Sequence, residues 1–301
     1  MKYSELYSNC TLCPRKCGID RNAGKRGYCT QSSSLMLARA SLHAWEEPCI
    51  SGERGSGTVF FCGCPLHCVY CQNDAISKGQ TGKERDVDRL CEIFYSLAEQ
   101  GAHNINLVTP THFLVHVVNA IEKVKSEGFP LPFVYNTSGY ERVQSLRMLD
   151  GLVDIYLPDF KYSDSTLAER YSGAPDYVDV AKAALSEMVR QCPTPCFDGQ
   201  GMMTRGVIVR HLMLPSHYKN SRDAVEYLYK TYGDSIYISI MSQYTPVRDF
   251  DDFPQLNRRV GRALYERLVD YAISLGVENA FIQESASATK SFIPQFDCSG
   301  I

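Results

Sequence analysis

No stretch of this chain is long and apolar enough to span a bilayer, no long block of positive charge runs along it, and no repeat or low-complexity segment interrupts it. The first absence argues against a membrane-spanning protein, the second against a nucleic-acid binder, the third against a repeat architecture. Thirty-one Lys and Arg stand against thirty-four Asp and Glu, a mildly acidic balance with a formal net charge of −3. Met1-Lys2-Tyr3-Ser4-Glu5 leads into no apolar signal segment, so no secretory leader is expected and a cytoplasmic location is. Cysteine, by contrast, is plentiful: thirteen in 301 residues. In a reducing compartment these read as ligands and not as disulfides. With 44% hydrophobic and 22% charged residues, the chain can bury a large core unaided, as one large domain or two smaller ones.

The most specific pattern is Cys64-Pro65-Leu66-His67-Cys68-Val69-Tyr70-Cys71. It sets three cysteines at C-x3-C-x2-C on one loop behind an apolar run. A four-iron cube normally takes four cysteine ligands, so three leave one iron open for a substrate or cofactor. The rival readings are a zinc site, a redox pair at Cys68 and Cys71, and buried structural thiols. Zinc sites rarely stop at three cysteines, and a redox pair leaves Cys64 without a role. Gly63 lets the backbone turn closely about such a cluster.

From residue 58 onward, short β-branched or aromatic runs alternate with longer stretches of helical period. The pattern predicts strands at 58–61, 104–108, 133–136, 153–157, 206–212 and 236–241. Helices are expected near 87–100, 112–127, 142–149, 177–191, 221–232 and 257–275. This is an α/β fold with a parallel sheet and crossover helices. Polar residues follow each strand: Cys64 to Cys71, Thr109 to His112, Asn136 to Tyr140, Asp159 to Lys161, Arg210-His211, and Ser242-Gln243-Tyr244. In barrels of this kind the loops at the carboxyl ends of strands meet at one mouth, so the six clusters describe one site.

Residues 1–57 are turn-rich and are expected to form a separate cysteine-rich, metal-binding module. Cys10, Cys13, Cys17 and Cys29 follow C-x2-C-x3-C-x11-C, a complete ligand set for zinc or for a second iron–sulfur cluster; a module without metal is the remaining alternative. Tyr70 is either a core aromatic or a ring held beside the metal. Thr111 is either a helix N-cap or, with Thr109, a contact for an amino-acid head group. Asp159 and Lys161 share one face of an extended segment, either as a surface pair or inside a polar mouth. His211 is either structural or ligand-facing, since a lone histidine carries either role. Glu46, Glu47, Gln243 and Glu284 are candidate substrate-side groups, with solvent exposure as the default. Cys49, Cys62, Cys91, Cys192, Cys196 and Cys298 show no partner spacing and read as structural thiols.

The cluster spacing, with Tyr70 directly before the last cysteine, resembles the signature of the radical S-adenosylmethionine (radical SAM) superfamily. Glu46-Glu47-Pro48-Cys49-Ile50-Ser51-Gly52, Gly55-Ser56-Gly57, Cys71-Gln72-Asn73, Phe281-Ile282-Gln283-Glu284 and Phe292-Ile293-Pro294-Gln295-Phe296-Asp297 extend the likeness over almost the entire chain. With the N-terminal Cys13-Pro14-Arg15, they are similar to a subgroup named for pyruvate formate-lyase-activating enzyme. The resemblance implies a partial (β/α)6 barrel over 58–301 with a C-terminal extension. It implies a [4Fe-4S] cluster whose open iron is chelated by the methionine moiety. One electron then cleaves the sulfonium to a 5'-deoxyadenosyl radical, which takes hydrogen from a protein or a small molecule. Tyr70 would lie by the adenine, Asp159 and Lys161 beside the cofactor, and His211 near it. Asn136 occupies a position where activases frequently carry an acid. Thr109 and Thr111 stand where the superfamily usually has a glycine-glycine-glutamate element for the methionine amine. The implied partners are an external electron donor such as flavodoxin or ferredoxin and, for activases, a protein substrate. The competing classes are an iron–sulfur electron carrier, which needs no polar strand ends, and a zinc-stapled binding module, which would be colourless.

Overall fold

The computed structural model describes residues 2–282 and 294–301. Gln283, Glu284, Phe292 and Ile293 therefore lie outside the described residues. The first elements are β1 (Leu35–His43), α1 (Pro48–Ser51), β2 (Ser56–Phe61), α2 (Asp74–Ser77), β3 (Lys83–Arg85), α3 (Val87–Glu99) and β4 (Ile105–Val108). There follow α4 (Leu114–Ser126), β5 (Phe133–Thr137), α5 (Val143–Leu146), β6 (Ile155–Pro158), α6 (Ser165–Ser172) and α7 (Tyr177–Gln191). The chain continues through β7 (Cys196–Phe197), β8 (Met203–Leu212), α8 (Tyr218–Tyr232), β9 (Tyr237–Met241), α9 (Arg262–Leu275) and β10 (Ala280–Ile282).

Every residue of β2, β4, β5 and β6 is buried, as strands covered on both faces must be. They are parallel to one another and to β8, β9 and β10. Strand order is β10-β9-β8-β6-β5-β4-β2-β1-β3, an open sheet with helices outside. All six strands expected from the sequence are present, and β10 extends the parallel set. The crossover helices bury one face each. In α3, Leu90, Cys91, Ile93, Phe94 and Leu97 point inward, and the Asp86 side chain caps the helix by accepting from the Arg89 N–H at 2.7 Å.

The N-terminal segment differs from the expectation in one respect. Residues 1–57 are not one module apart from the barrel, because β1 pairs antiparallel with β2, and β3 with β1, so residues 35–57 extend the sheet. The run Leu35-Met36-Leu37-Ala38-Arg39-Ala40 has strand character, but its pairing with a strand 20 residues on is a tertiary fact. Only the segment ahead of β1 is turn-rich and carries the four cysteines.

Alternation along the parallel strands sets two cores. Outward residues pack on the helices. Inward residues Val134, Ile155, Leu157, Met203 and Ile208 pack on Cys49 and Ile50, which α1 inserts into the lumen. Asn104 Nδ2 donates to the Ile50 carbonyl at 2.7 Å and fixes that plug. Glu46 and Glu47 enter the barrel on the same segment.

Candidate functional site

The first of the site loops leaves β2 at Phe61 and carries the three cysteines. Gly63 turns it at φ +83, and a Cβ there would stand 2.4 Å from the Cys29 carbonyl oxygen. No other residue fits that close approach. Two donors reach the sulfurs: Leu66 N–H to Cys64 Sγ at 3.4 Å, and Ser172 Oγ to Cys68 Sγ at 3.1 Å. Such bonds stabilise thiolate ligands of iron–sulfur clusters. Burial pushes the Cys64 thiol up to about 11 and Cys71 to about 12, and in each case the neighbouring thiols push the same way. Neighbouring sulfurs that oppose the ionisation of Cys64 and Cys71 fit a cationic centre between them. Among the described residues, no three Cys, His, Asp or Glu side chains close tightly enough around one point for a single ion. Three cysteines on one loop, beside a cavity, fit a cube with one open corner by their number and chemistry.

The sequence does not foretell what holds this loop from behind. Arg15, between Cys13 and Cys17, donates to the carbonyls of Pro65 at 2.9 Å, Leu66 at 3.4 Å, Ser172 at 2.9 Å and Gly173 at 2.5 Å. Its guanidinium also lies 4.0 Å from the Tyr28 ring centre. The His67 ring bonds the Tyr28 carbonyl at 3.0 Å. The cysteine-rich segment thus backs the cluster loop directly.

Cys68 and Cys71 line a cavity of about 230 Å³ at the carboxyl ends of the strands. Tyr70, Asn136, Asp159, Lys161, Arg210 and Gln243 line it too. Arg210 organises its floor. Its guanidinium donates to Asp159 Oδ1 at 3.1 Å, Glu46 Oε2 at 3.0 Å and Asn136 Oδ1 at 2.6 Å. Lys161 Nζ donates to Asp159 Oδ2 at 2.6 Å, and Asn106 Nδ2 to Glu46 Oε1 at 3.0 Å. Burial alone would push Asp159 up, but the charges of Lys161 and Arg210 outweigh it and hold the carboxyl below its usual value. Burial pulls Lys161 and Arg210 down, and the facing carboxylates more than restore them. Lys161, Arg210 and Asp159 therefore face one another ionised, while burial pushes the Glu46 carboxyl above its ordinary value with Arg210 pulling back. Glu47, beneath them, is pushed up by burial with Arg210 pulling back, and its Oε2 has no hydrogen-bond partner among the described residues.

Tyr70 is buried at the cavity wall, edge-on to Tyr171 and Tyr244. Asp159 and Lys161 do share a face, as their spacing implied. His211 does not join them. Arg210 faces the lumen, so the next residue on β8 faces outward. There His211 Nδ1 meets the Phe160 carbonyl at 2.7 Å and Nε2 meets Ser221 Oγ at 2.9 Å, with the ring fully buried. Burial lowers that imidazole to about 4, so it is a neutral packing residue and not a cofactor contact. Thr111 also points away, its Oγ1 donating to Glu141 Oε1 at 2.5 Å, and Thr109 is held through its N–H on the Asn136 carbonyl at 2.8 Å. Neither threonine lines the cavity. Thr109 nonetheless takes φ +58 at the end of β4, an uncommon conformation for a β-branched residue. Arg210 is the side chain the sequence reading passed over. Its signal was the Arg-His pair itself, of which the histidine alone was singled out.

A larger and more open cavity, about 820 Å³, is lined by Gly52, His103, Met202, Tyr237 and Phe281. It lies at the amino ends of the strands and touches none of the three loop cysteines. Size does not make it the site; the thiols and charges converge at the other end.

Residues 50–172 match the model of a 4Fe-4S single cluster domain. An uncharacterized protein of Methanocaldococcus jannaschii is 27% identical over 278 residues, which span 89% of this chain and 75% of that one. Among solved structures, the chain is similar to HydG, a maturase of the [FeFe]-hydrogenase, with a TM-score of 0.51 and 15% identity over 76% of this chain and 52% of that one. Methylornithine synthase is similar with a TM-score of 0.50 and 13% identity, over 73% of this chain and 60% of that one. The chain thus spans little more than half the length of these two structures. At such identities the likeness is one of fold.

Proposed function

We propose that this chain is a radical SAM enzyme that cleaves S-adenosylmethionine reductively beside the Cys64, Cys68 and Cys71 loop, a reading that its likeness of fold supports. The observation that carries the reading is the wall where Cys68 and Cys71 meet the Asp159, Lys161 and Arg210 network in one cavity. A [4Fe-4S] cluster held by Cys64, Cys68 and Cys71 would supply the electron that breaks the sulfonium bond to give methionine and a 5'-deoxyadenosyl radical for hydrogen abstraction.

The chain's own residues bind and orient. Lys161, held ionised by Asp159, offers a cation to a carboxylate; Tyr70 bounds the same space with an aromatic ring. Arg210 and Glu46 keep a polar floor ordered without leaving an unpaired charge. The electron must come from outside, from a flavodoxin- or ferredoxin-class donor. The cavity opens at the mouth of an incomplete barrel, which admits a small molecule or a loop of a protein substrate.

Anaerobic reconstitution with iron and sulfide, reduction, and assay of 5'-deoxyadenosine test the proposal in wild type and Cys68→Ala. Wild type is expected to form deoxyadenosine and the variant to fall to background. Equal yields would reject the reading.

A further inference from the structure

Arg21 is fully buried. Its Nη1 donates to the His112 carbonyl at 2.6 Å and to Cys10 Sγ at 3.7 Å, while Nε and Nη2 donate to the Ser32 carbonyl at 3.1 and 2.5 Å. The guanidinium carbon lies 4.5 Å from the Tyr7 ring centre and 5.7 Å from that of Phe113. Among the described residues it makes no ion pair with a carboxylate. Carbonyls and ring faces carry only partial negative charge, and a full cation removed from water calls for an anion. Cysteine sulfur, ionised on binding a metal, is the anionic group at hand.

The backbone has already assembled the sulfurs. Gly18 N–H donates to the Cys10 carbonyl and Lys16 N–H to the Cys13 carbonyl, at 3.0 and 3.1 Å, which folds the three-cysteine run on itself. The fourth cysteine arrives through Gly27. A Cβ at that glycine would lie 3.1 Å from Cys17 Sγ and 3.6 Å from Cys29 Sγ, so the missing side chain leaves room where two sulfurs face each other. Cys10, Cys13 and Cys29 are buried and Cys17 reaches the surface. Among the described residues the sulfurs do not close on one point; a bound centre would draw them together.

We infer that Cys10, Cys13, Cys17 and Cys29 ligate a thiophilic metal centre, a zinc ion or a second iron–sulfur cluster, whose net negative charge the buried Arg21 guanidinium neutralises. Four thiolates outweigh the charge of either group, which is why a cation is buried against them. The centre also supplies what this short segment lacks, since so few apolar side chains cannot hold its turns alone. It lies against the cluster loop, with the Cys29 carbonyl in the space that Gly63 leaves empty. The site stands independently of the reaction proposed above.

The test uses the full chain carrying Cys64→Ala, Cys68→Ala and Cys71→Ala together, purified without air, so that metal and acid-labile sulfide report the N-terminal set alone. One centre per chain is expected. Zinc without sulfide identifies the ion, and iron with matching sulfide identifies the cluster. Adding Cys17→Ser and Cys29→Ser should abolish the binding. Arg21→Met should speed metal loss to a chelator by roughly tenfold, as removal of an outer-sphere partner does, with Arg21→Lys retaining most of the protection. A folded triple variant that holds no metal, with the four N-terminal thiols freely reactive, overturns the inference. Where that variant does not fold, the wild-type chain gives the answer. Metal beyond one iron–sulfur cube supports the site, and one cube with no zinc overturns it. A wild-type chain that keeps the N-terminal metal but makes no deoxyadenosine would sink the reaction and leave this site standing.

Discussion

Adjacent residues on a strand face opposite ways, and that parity separates Arg210 from His211. Arg210 binds three acceptors inside the barrel, while His211 ties β8 to Phe160 and Ser221 outside it. Arg210→Met should leave the Glu46 and Asp159 carboxylates without their shared cation, at a cost of about 3 kcal/mol in urea unfolding and with weakened S-adenosylmethionine binding by equilibrium dialysis. Unchanged stability would mean that the network contributes nothing. Glu141 gives a second prediction. It is fully enclosed, with Thr111 and Thr137 hydroxyls on Oε1 and no partner for Oε2 among the described residues. Burial raises its carboxyl from 4.5 to about 7, against the pull of the two threonines. The folded chain therefore holds an extra proton between those values. This contribution is fully present below about pH 4.5 and is lost as pH rises through about 7. The shift corresponds to roughly 3 kcal/mol. Glu141→Gln should become more stable relative to wild type by up to that amount between pH 4.5 and 8; parallel curves for the two proteins would refute the assignment.

Among elements, the cluster loop depends on its surroundings more than on its own sequence. Its cysteine spacing is legible in one line of letters, whereas the Arg15 bonds to residues 65, 66, 172 and 173 join segments 50 to 158 residues apart. Arg15→Gln should lose about 2 kcal/mol, since hydrogen bonds from a charged donor are worth more than neutral ones. Iron retention by the cluster loop should fall with it, which anaerobic gel filtration followed by iron analysis measures. Gly63→Ala tests the same contact from the other side. The added carbon meets backbone at 2.4 Å and φ is +83, so the variant should misplace the loop and bind iron poorly; normal iron content would show the approach to be looser than drawn. Most helices and strands were legible because their periodicities differ, 3.6 against 2. β1 was not read, since its alternation is broken by a register shift between Leu37 and Arg39, and α1 is too short to leave a periodic trace.

At the scale of the whole molecule, seven parallel strands in sequence order leave a barrel that does not close, and β1 from the N-terminal segment, with β3 beyond it, extends one edge of the wall. The described end of the chain returns to this edge. Cys298 N–H bonds the Ala38 carbonyl at 3.1 Å, Phe296 packs edge-on against Phe60 at 5.3 Å, and Pro294 lines the cavity. Removing residues 294–301 should therefore expose the mouth and speed bleaching of the reconstituted cluster in air, followed by its visible absorption; an unchanged rate would show that this segment does not shield the site. The sequence by itself determined the α/β order and the three-thiol loop, because strand and helix periods and ligand spacing are local. It also determined the shared face of Asp159 and Lys161, which residue parity within one segment suffices to set. Only the tertiary structure chose Arg210 over His211, drove Glu46 into the lumen behind α1, and pressed the N-terminal cysteines against the cluster loop. Those outcomes depend on which face of each element meets its neighbours, a relation between distant segments that no local spacing contains.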